Sequence, residues 1–267
     1  MKNLSNYILE AKNRNLDIDR RQPKSRSELE MIISGAFKRK QYDLNFIDTS
    51  KITDMSELFE GVKHNFDISS WDVSNVKDMS KMFSRCYAFT GKGLENWDVS
   101  NVTDMSHMFD SCSIFIGKGL ENWDVSNVTN MYSMFLHCKK FDCDLSNWDM
   151  SNVIDTSLMF SNCAKFTGKG IENWNVSKVK NMYAMFGDCT NFNCDVSNWD
   201  VSNVTDMDSM FVNCKKFTGK GLENWNVSKV KTMRTMFNGC KFNYHELDWD
   251  LSGLSSQLKT FRNYLAD

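Results

Sequence analysis

LENWDVSNVTDMSHMFDSCSIF, Leu94 to Phe115, is the stretch on which the chain is built, and it recurs in recognisable form seven times. All eight tryptophans hold its central position, at Trp71, Trp97, Trp123, Trp148, Trp174, Trp199, Trp225 and Trp249. The intervals are 26, 26, 25, 26, 25, 26 and 24 residues. Self-similarity at a fixed period of this size marks an array whose units stack side by side, each covering a face its neighbour cannot bury alone.

Two hydrophobic periods follow one another within the unit. The first reads L-x-x-W-x-V, as in Leu94, Trp97 and Val99, Leu120, Trp123 and Val125, or Ile171, Trp174 and Val176. Alternation about the Trp predicts a short half-buried strand with Trp97 and Val99 on one face and Asn96 and Asp98 on the other. The second reads V-x-x-M-x-x-M-F-x-x-C, as in Val102, Met105, Met108, Phe109 and Cys112. Steps of three and four predict a short helix with these five on its buried face. Ser100 lies ahead of it as a cap or turn residue, and a Ser recurs there from Ser50 to Ser252. Gly91-Lys92-Gly93 returns the chain, and three units use a shorter linker such as Asp142-Cys143-Asp144.

A strand patterned in this way with a returning helical segment resembles a leucine-rich repeat. More specifically, WDVSNVTDMSxMFxxCxxF is similar to the repeat of the BspA-like leucine-rich repeat surface proteins, including the mycoplasma-type lipoproteins that share it, over about residues 44 to 254. The resemblance implies an arc-shaped, protein-binding solenoid, often secreted and adhesive, with no catalytic residue to carry over. The expected fold is therefore an α/β solenoid with parallel strands on one face and short helices on the other.

Expected boundaries follow from departures from the repeat. Residues 1–43 read as a helical cap and linker, 44–248 as a degenerate first unit plus seven full ones, and 249–267 as a capping unit. Ser25 and Glu28 have capping-box spacing, and Leu29, Ile32, Ile33 and Phe37 share a helical face suited to covering the first unit. In the last unit Gln257, Leu258 and Phe261 replace the Met and Cys pattern, while Lys259, Arg262 and Asp267 make the outer face polar. Near the start, Tyr7, Ile8 and Leu9 give way at once to Glu10 and Lys12, which is too short an apolar run for a secretory signal or a membrane span. A cytoplasmic or particle-associated protein is thus expected rather than a conventionally secreted one.

Net charge is −2, which points to neither a nucleic-acid nor a membrane partner, although residues 1–46 hold ten Lys and Arg against six Asp and Glu. Seven of the nine cysteines, Cys86, Cys112, Cys138, Cys163, Cys189, Cys214 and Cys240, follow their Trp by 15 residues. Equivalent positions point in parallel rather than at one another, so reduced, buried thiols are expected instead of disulfides. Cys143 and Cys194 mark two short linkers. The methionines share a face with Val and Phe and read as core filling, and His137 with Cys138 and Cys143 fits no compact zinc pattern. His64, His107, His137 and His245 fall at different places in their units, and no phosphate loop, metalloprotease motif or nucleophile elbow is present.

The function expected is therefore non-catalytic and cofactor-free: a scaffold that binds a protein or peptide on an extended surface, or alternatively a structural or adhesive component that attaches a surface or particle to a host or matrix. With Trp pointing inward, the residues beside it point outward. The candidate binding residues are Asp72, Asn96, Asp98, Asn122, Asp124, Asn147, Asp149, Asn173, Asn198 and Asp200. The unbroken run Asp72, Asp98, Asp124 and Asp149 forms an acidic strip for a basic or polar partner or for weakly held calcium; alternatively these side chains only fix their own turns.

Overall fold

A computed structural model describes residues 21–243, 247–252 and 254. The chain winds into stacked coils, one per repeat, and a row of parallel one-residue bridges runs through Asp54, Asp78, Asp104, Asn130, Asp155, Asn181, Asp206 and Thr232. Among the described residues the regular elements are one helix, α1 (Arg26–Lys38), and two single 3-10 turns, Leu94–Asn96 and Leu222–Asn224. The expected α/β solenoid of parallel strands and returning helices is therefore not the fold. The coils are built from turns.

Local hydrogen bonding explains why the first period makes no strand. The Trp97 amide donates to the Leu94 carbonyl and the Val102 amide to that of Val99, each closing a four-residue turn. Asp98 Oδ1 accepts the Ser100 amide at 3.1 Å, folding the side chain back onto its own backbone. Apolar residues spaced L-x-x-W-x-V-x-x-V thus line the inside of successive turns. The polar residues between them occupy the bends.

The second period is not a helix, for a related reason. The amides of Met79, Lys81, Phe83 and Arg85 donate to the carbonyls of Asp104, Ser106, Met108 and Asp110 in the next coil, while those of Met82, Ser84 and Cys86 bond three residues back, to Met79, Lys81 and Phe83. Every second amide is spent between coils. A helix would keep all of them in its own segment. Two residues per coil take the left-handed conformation that this chain of turns needs, such as His107 (φ 55) and Ser111 (φ 63), or Leu158 (φ 58) and Asn162 (φ 63). In a helix each would cost about 1–2 kcal/mol. Here each sits singly in a turn, and the amides about it are bonded.

Stacking builds one continuous core. Phe83, Phe109, Phe135, Phe160, Phe186, Phe211 and Phe237 form a row of nearly parallel rings, with neighbouring centroids such as Phe83 and Phe109 5.4 Å apart and Phe211 and Phe237 5.9 Å apart. A second row of Phe89, Phe115, Phe141, Phe166, Phe192 and Phe217 lies beside it, and the paired methionines are fully enclosed. Every indole Nε1 but that of Trp97 is satisfied across coils: Trp123 donates to Leu94 O at 2.9 Å and Trp174 to Leu145 O at 3.1 Å. Thr156, which replaces a Met, is buried and donates its hydroxyl to Asn181 O at 3.3 Å.

The helix α1 starts at Ser25, whose side chain accepts the Glu28 amide, and it turns Leu29, Ile33 and Ala36 into the core. Ile32 and Phe37 are half-buried against it. Arg26 ties the helix to the first coil, donating to Asp54 and to Ser56 Oγ at 2.6 Å. The readings made at Tyr7 to Lys12, at His245 and at Gln257 to Asp267 lie outside the described residues.

Candidate interaction surface

Each coil sends its reactive side chains inward. All nine cysteines are free; eight are buried and Cys240 is half-buried. Each of the seven ladder cysteines donates its thiol to the Phe carbonyl of the coil before, as Cys138 does to Phe109 O at 3.0 Å and Cys189 to Phe160 O at 2.8 Å. Burial pushes the thiols up, Cys86, Cys143, Cys194 and Cys240 to about 12. Such thiols are poor nucleophiles and poor metal ligands at neutral pH. Cys143 and Cys194 pack against glycines of the preceding coil: a Cβ on Gly117 or Gly168 would lie 2.5 or 2.6 Å from theirs.

The described histidines lie apart from one another. His64 packs between Phe37 and Tyr42, His107 Nδ1 lies 3.5 Å from Asp110 Oδ2, and His137 is exposed. Among the described residues no three His, Cys, Asp or Glu side chains converge on a point where a metal ion could sit. A shallow groove of about 440 Å³ between α1 and the first coil is lined by Ile33, Phe37, Leu58 and Val62 with Glu30, Ser34 and Lys38.

The candidate residues beside Trp are all exposed: Asp72, Asp98, Asp124, Asp149 and Asp200 after it, and Asn96, Asn122, Asn147, Asn173 and Asn198 before it. Each of these aspartates holds its own turn, Oδ1 accepting the amide two residues on, from Ser74, Ser100, Ser126, Ser151 and Ser202 at 2.9–3.1 Å. Asn175 and Asn226 make the same bond to Ser177 and Ser228. The turn therefore needs the oxygen and not the charge. Hydrogen bonds from Ser126 and Ser202 hold Asp124 and Asp200 below the usual carboxylate range, so both are ionised at neutral pH. No ion pair neutralises the five carboxylates among the described residues.

The asparagines before Trp are spent partly between coils. Asn96 Nδ2 reaches Ser69 O at 3.4 Å, Asn147 Nδ2 reaches Asn122 Oδ1 at 3.2 Å and Asn198 Nδ2 reaches Asn173 Oδ1 at 2.9 Å.

Three further rows escaped the sequence reading. In the S-N dipeptide, Asn75, Asn101, Asn127, Asn152 and Asn203 donate to Ser50, Ser74, Ser100, Ser126 and Ser177 carbonyls at 2.7–2.9 Å, joining coil to coil. Where the dipeptide becomes S-K, Lys178 and Lys229 bond Asn152 and Asn203 instead. Lys92, Lys169 and Lys220 of the long linkers pair with Asp67, Asp144 and Asp195 of the coil before. The third row follows the ladder cysteines, where Lys139, Lys140, Lys165, Lys215, Lys216 and Lys241 are exposed.

No helix among the described residues is long and apolar enough to cross a membrane. A family model described as "Mycoplasma protein of unknown function, DUF285" matches the chain three times, over residues 27–116, 88–170 and 167–266. No curated protein matches it.

Proposed function

The chain belongs to the repeat family described as Mycoplasma protein of unknown function, DUF285, and on that footing we propose that it is a non-catalytic scaffold that binds a protein through the aspartate row of its stacked coils. One observation carries the reading: Asn makes the same turn in two coils that Asp makes in the others, so the carboxylates at Asp98, Asp124 and Asp149 are surplus to folding. They stand one per coil on a rigid stack, a geometry that suits a basic or polar segment lying along it. The repeat WDVSNVTDMSxMFxxC is on this reading that of the BspA-like surface proteins, which favours protein recognition over chemistry. The same likeness favours an adhesive or structural role as the second reading, and surface labelling of intact producing cells separates the two.

The test is the triple variant Asp98→Asn, Asp124→Asn, Asp149→Asn, which keeps the turn bonds while removing three charges. Capture of a binding partner from native lysate by the intact chain should fall in the variant and lose its salt sensitivity, with the melting temperature unchanged. Equal capture at every salt concentration would remove the aspartate row as the interface.

A further inference from the structure

Polar side chains that hold the coils together repeat with them, so an exposed charge that bonds nothing in its own chain is not there for folding. Among the described residues, the two positions after four of the seven ladder cysteines are of this kind. They carry Lys139 and Lys140, Lys165, Lys215 and Lys216, and Lys241, all exposed. The lysines that form ion pairs, Lys81, Lys92, Lys169 and Lys220, stand elsewhere in the coil. Tyr87 and Ala88, Ser113 and Ile114, and Thr190 and Asn191 fill the same two positions in three other coils, so the turn itself does not require a cation.

In the coil of Thr190 and Asn191, Asn175 also replaces the Asp after Trp. The coils of Trp71 and Trp97 keep Asp72 and Asp98 without a lysine, and Lys241 shares its coil with Asn226, so both rows are charged in the coils of Trp123, Trp148 and Trp199. Around the acidic row, the segments Trp97 to Cys112, Trp123 to Cys138 and Trp148 to Cys163 contain no Lys or Arg. The two signs stand at different positions of the coil, and Asp98, Asp124 and Asp149 have no Lys or Arg in their own segments.

We infer that the lysine edge docks the aspartate row of a second copy of this chain. Both rows belong to one fold and climb by the same step per coil, the step at which neighbouring rings such as Trp97 and Trp123 stand 6.2 Å apart. Two copies side by side and in register set Lys140 against Asp124, Lys165 against Asp149 and Lys216 against Asp200, with neutral Asn191 against neutral Asn175, while Asp72 and Asp98 meet no lysine and Lys241 meets neutral Asn226. A flexible acidic peptide would have to be ordered to match that spacing, whereas a second stack already carries it. With a net charge of −2, long-range repulsion between copies is small. The contact is heterologous, each copy keeping one row unused so that the pair still presents one of each sign, and it propagates unless its rotation closes a ring. The inference rests on the reading of the aspartate row as a docking surface and names its partner.

Sedimentation velocity on the purified full chain tests it. At low ionic strength the chain should associate with concentration, and about tenfold or more weakly in half-molar salt, because exposed charge pairs are screened. The variant K139E/K140E/K215E/K216E and, separately, D124N/D149N/D200N should each lose self-association by at least about tenfold, with unchanged melting temperatures. Mixed, the two should form a one-to-one complex and nothing larger, since each retains the row that the other lacks. A wild-type chain that stays monomeric at all concentrations and salts overturns the inference, as do variants that associate like wild type or a mixture that does not re-associate. If the wild type is monomeric but still captures another protein through Asp98, Asp124 and Asp149, the self-association fails and the scaffold reading stands.

Discussion

In the buried rows like stacks on like: Phe109, Phe135 and Phe160 follow one another at a centroid spacing of 5.6 Å, each resting on a copy of itself. At the linker corner unlike rests on unlike. Gly168 of a long linker leaves room for Cys194 of the next, short one, while Lys169 reaches back to Asp144 of the short linker before it. Thr167 does the same, taking Asp142 Oδ1 with its amide at 3.0 Å and its hydroxyl at 2.8 Å. Rows of identical rings would accept the coils in any order. The corners between a long and a short linker are made by contacts that a like neighbour would not repeat, so they carry information about which coil follows which. Where two long linkers do meet, Gly91 lies against Phe115 and the pattern of lysine to aspartate lapses at Lys118.

The largest effect expected is in the rows. Trp174 stacks on Trp148 and Trp199 at 6.4 and 6.5 Å and is buried, whereas Trp249, half-buried, stacks on Trp225 alone among the described tryptophans. Trp174→Ala should cost roughly 3–5 kcal/mol and Trp249→Ala clearly less, as measured by urea unfolding. Equal losses would mean that the rows do not act as a stack.

The next effect isolates the corner. Gly221 has φ +93°, and a Cβ there would sit 2.2 Å from the Ser197 amide nitrogen of the preceding coil, whereas Gly61, at φ +72°, has nothing within 4 Å. Gly61→Ala should cost only the left-handed strain, about 1–2 kcal/mol. Gly221→Ala adds displacement of a neighbouring backbone and should cost roughly 2–4 kcal/mol. If the two variants melt alike, the corner yields to a methyl group without cost.

The rows were legible in the sequence and the backbone that carries them was not. Trp97, Val99, Val102, Met105, Met108, Phe109 and Cys112 are all buried, as their spacing requires. Successive turns, however, present residues to one side at steps of three and four much as a helix does, so the period alone cannot separate the two. A signal was present in the second left-handed position of each coil, which holds Gly61, Arg85, Ser111, His137, Asn162, Asp188, Asn213 and Gly239. Gly, Asn and Asp, the residues that tolerate this conformation, fill five of the eight. The first left-handed position, with Lys81, His107, Leu158 and Ala184, carries no such mark. The lysine row was missed because it breaks the repeat, and the reading of sites followed positions that keep it.

A smaller effect concerns the thiols, which lie between row and corner. Cys138→Ala should cost about 1–2 kcal/mol, removing a buried sulfur and one of the two donors to the Phe109 carbonyl, which keeps the Cys112 amide, and Cys138→Ser should recover part of that. Burial raises the folded-state thiol pKa, so the neutral thiol's contribution is complete below the unfolded value of about 8.5 and is lost as pH rises beyond it. Stability should therefore fall between about pH 8.5 and 12, the value to which Cys86 is pushed. Native protein should react slowly with a thiol reagent at pH 8, and denatured protein should yield all nine thiols. Fewer would mean that oxidation, not packing, holds the ladder.

The smallest effect expected is the one that decides what the corner charges are for. Lys169 and Asp144 are 3.1 Å apart but largely exposed, and such a pair is worth less than about 1 kcal/mol. The related carboxyl of Asp195 is held at about 2 by Lys220 and Ser197, so what it contributes is present above the ordinary carboxylate range and lost as pH falls toward 2. Lys169→Met should accordingly barely move the melting temperature at neutral pH. If these pairs select neighbours, their effect appears in the cost of a wrong pairing: Asp144→Lys, which sets two lysines face to face, should destabilise more than Lys169→Met, and adding Lys169→Asp should restore the loss. A charge swap that fails to restore stability would leave neighbour selection to the glycine and cysteine contacts alone, since a lysine carried only for solubility would not register which coil stands beneath it.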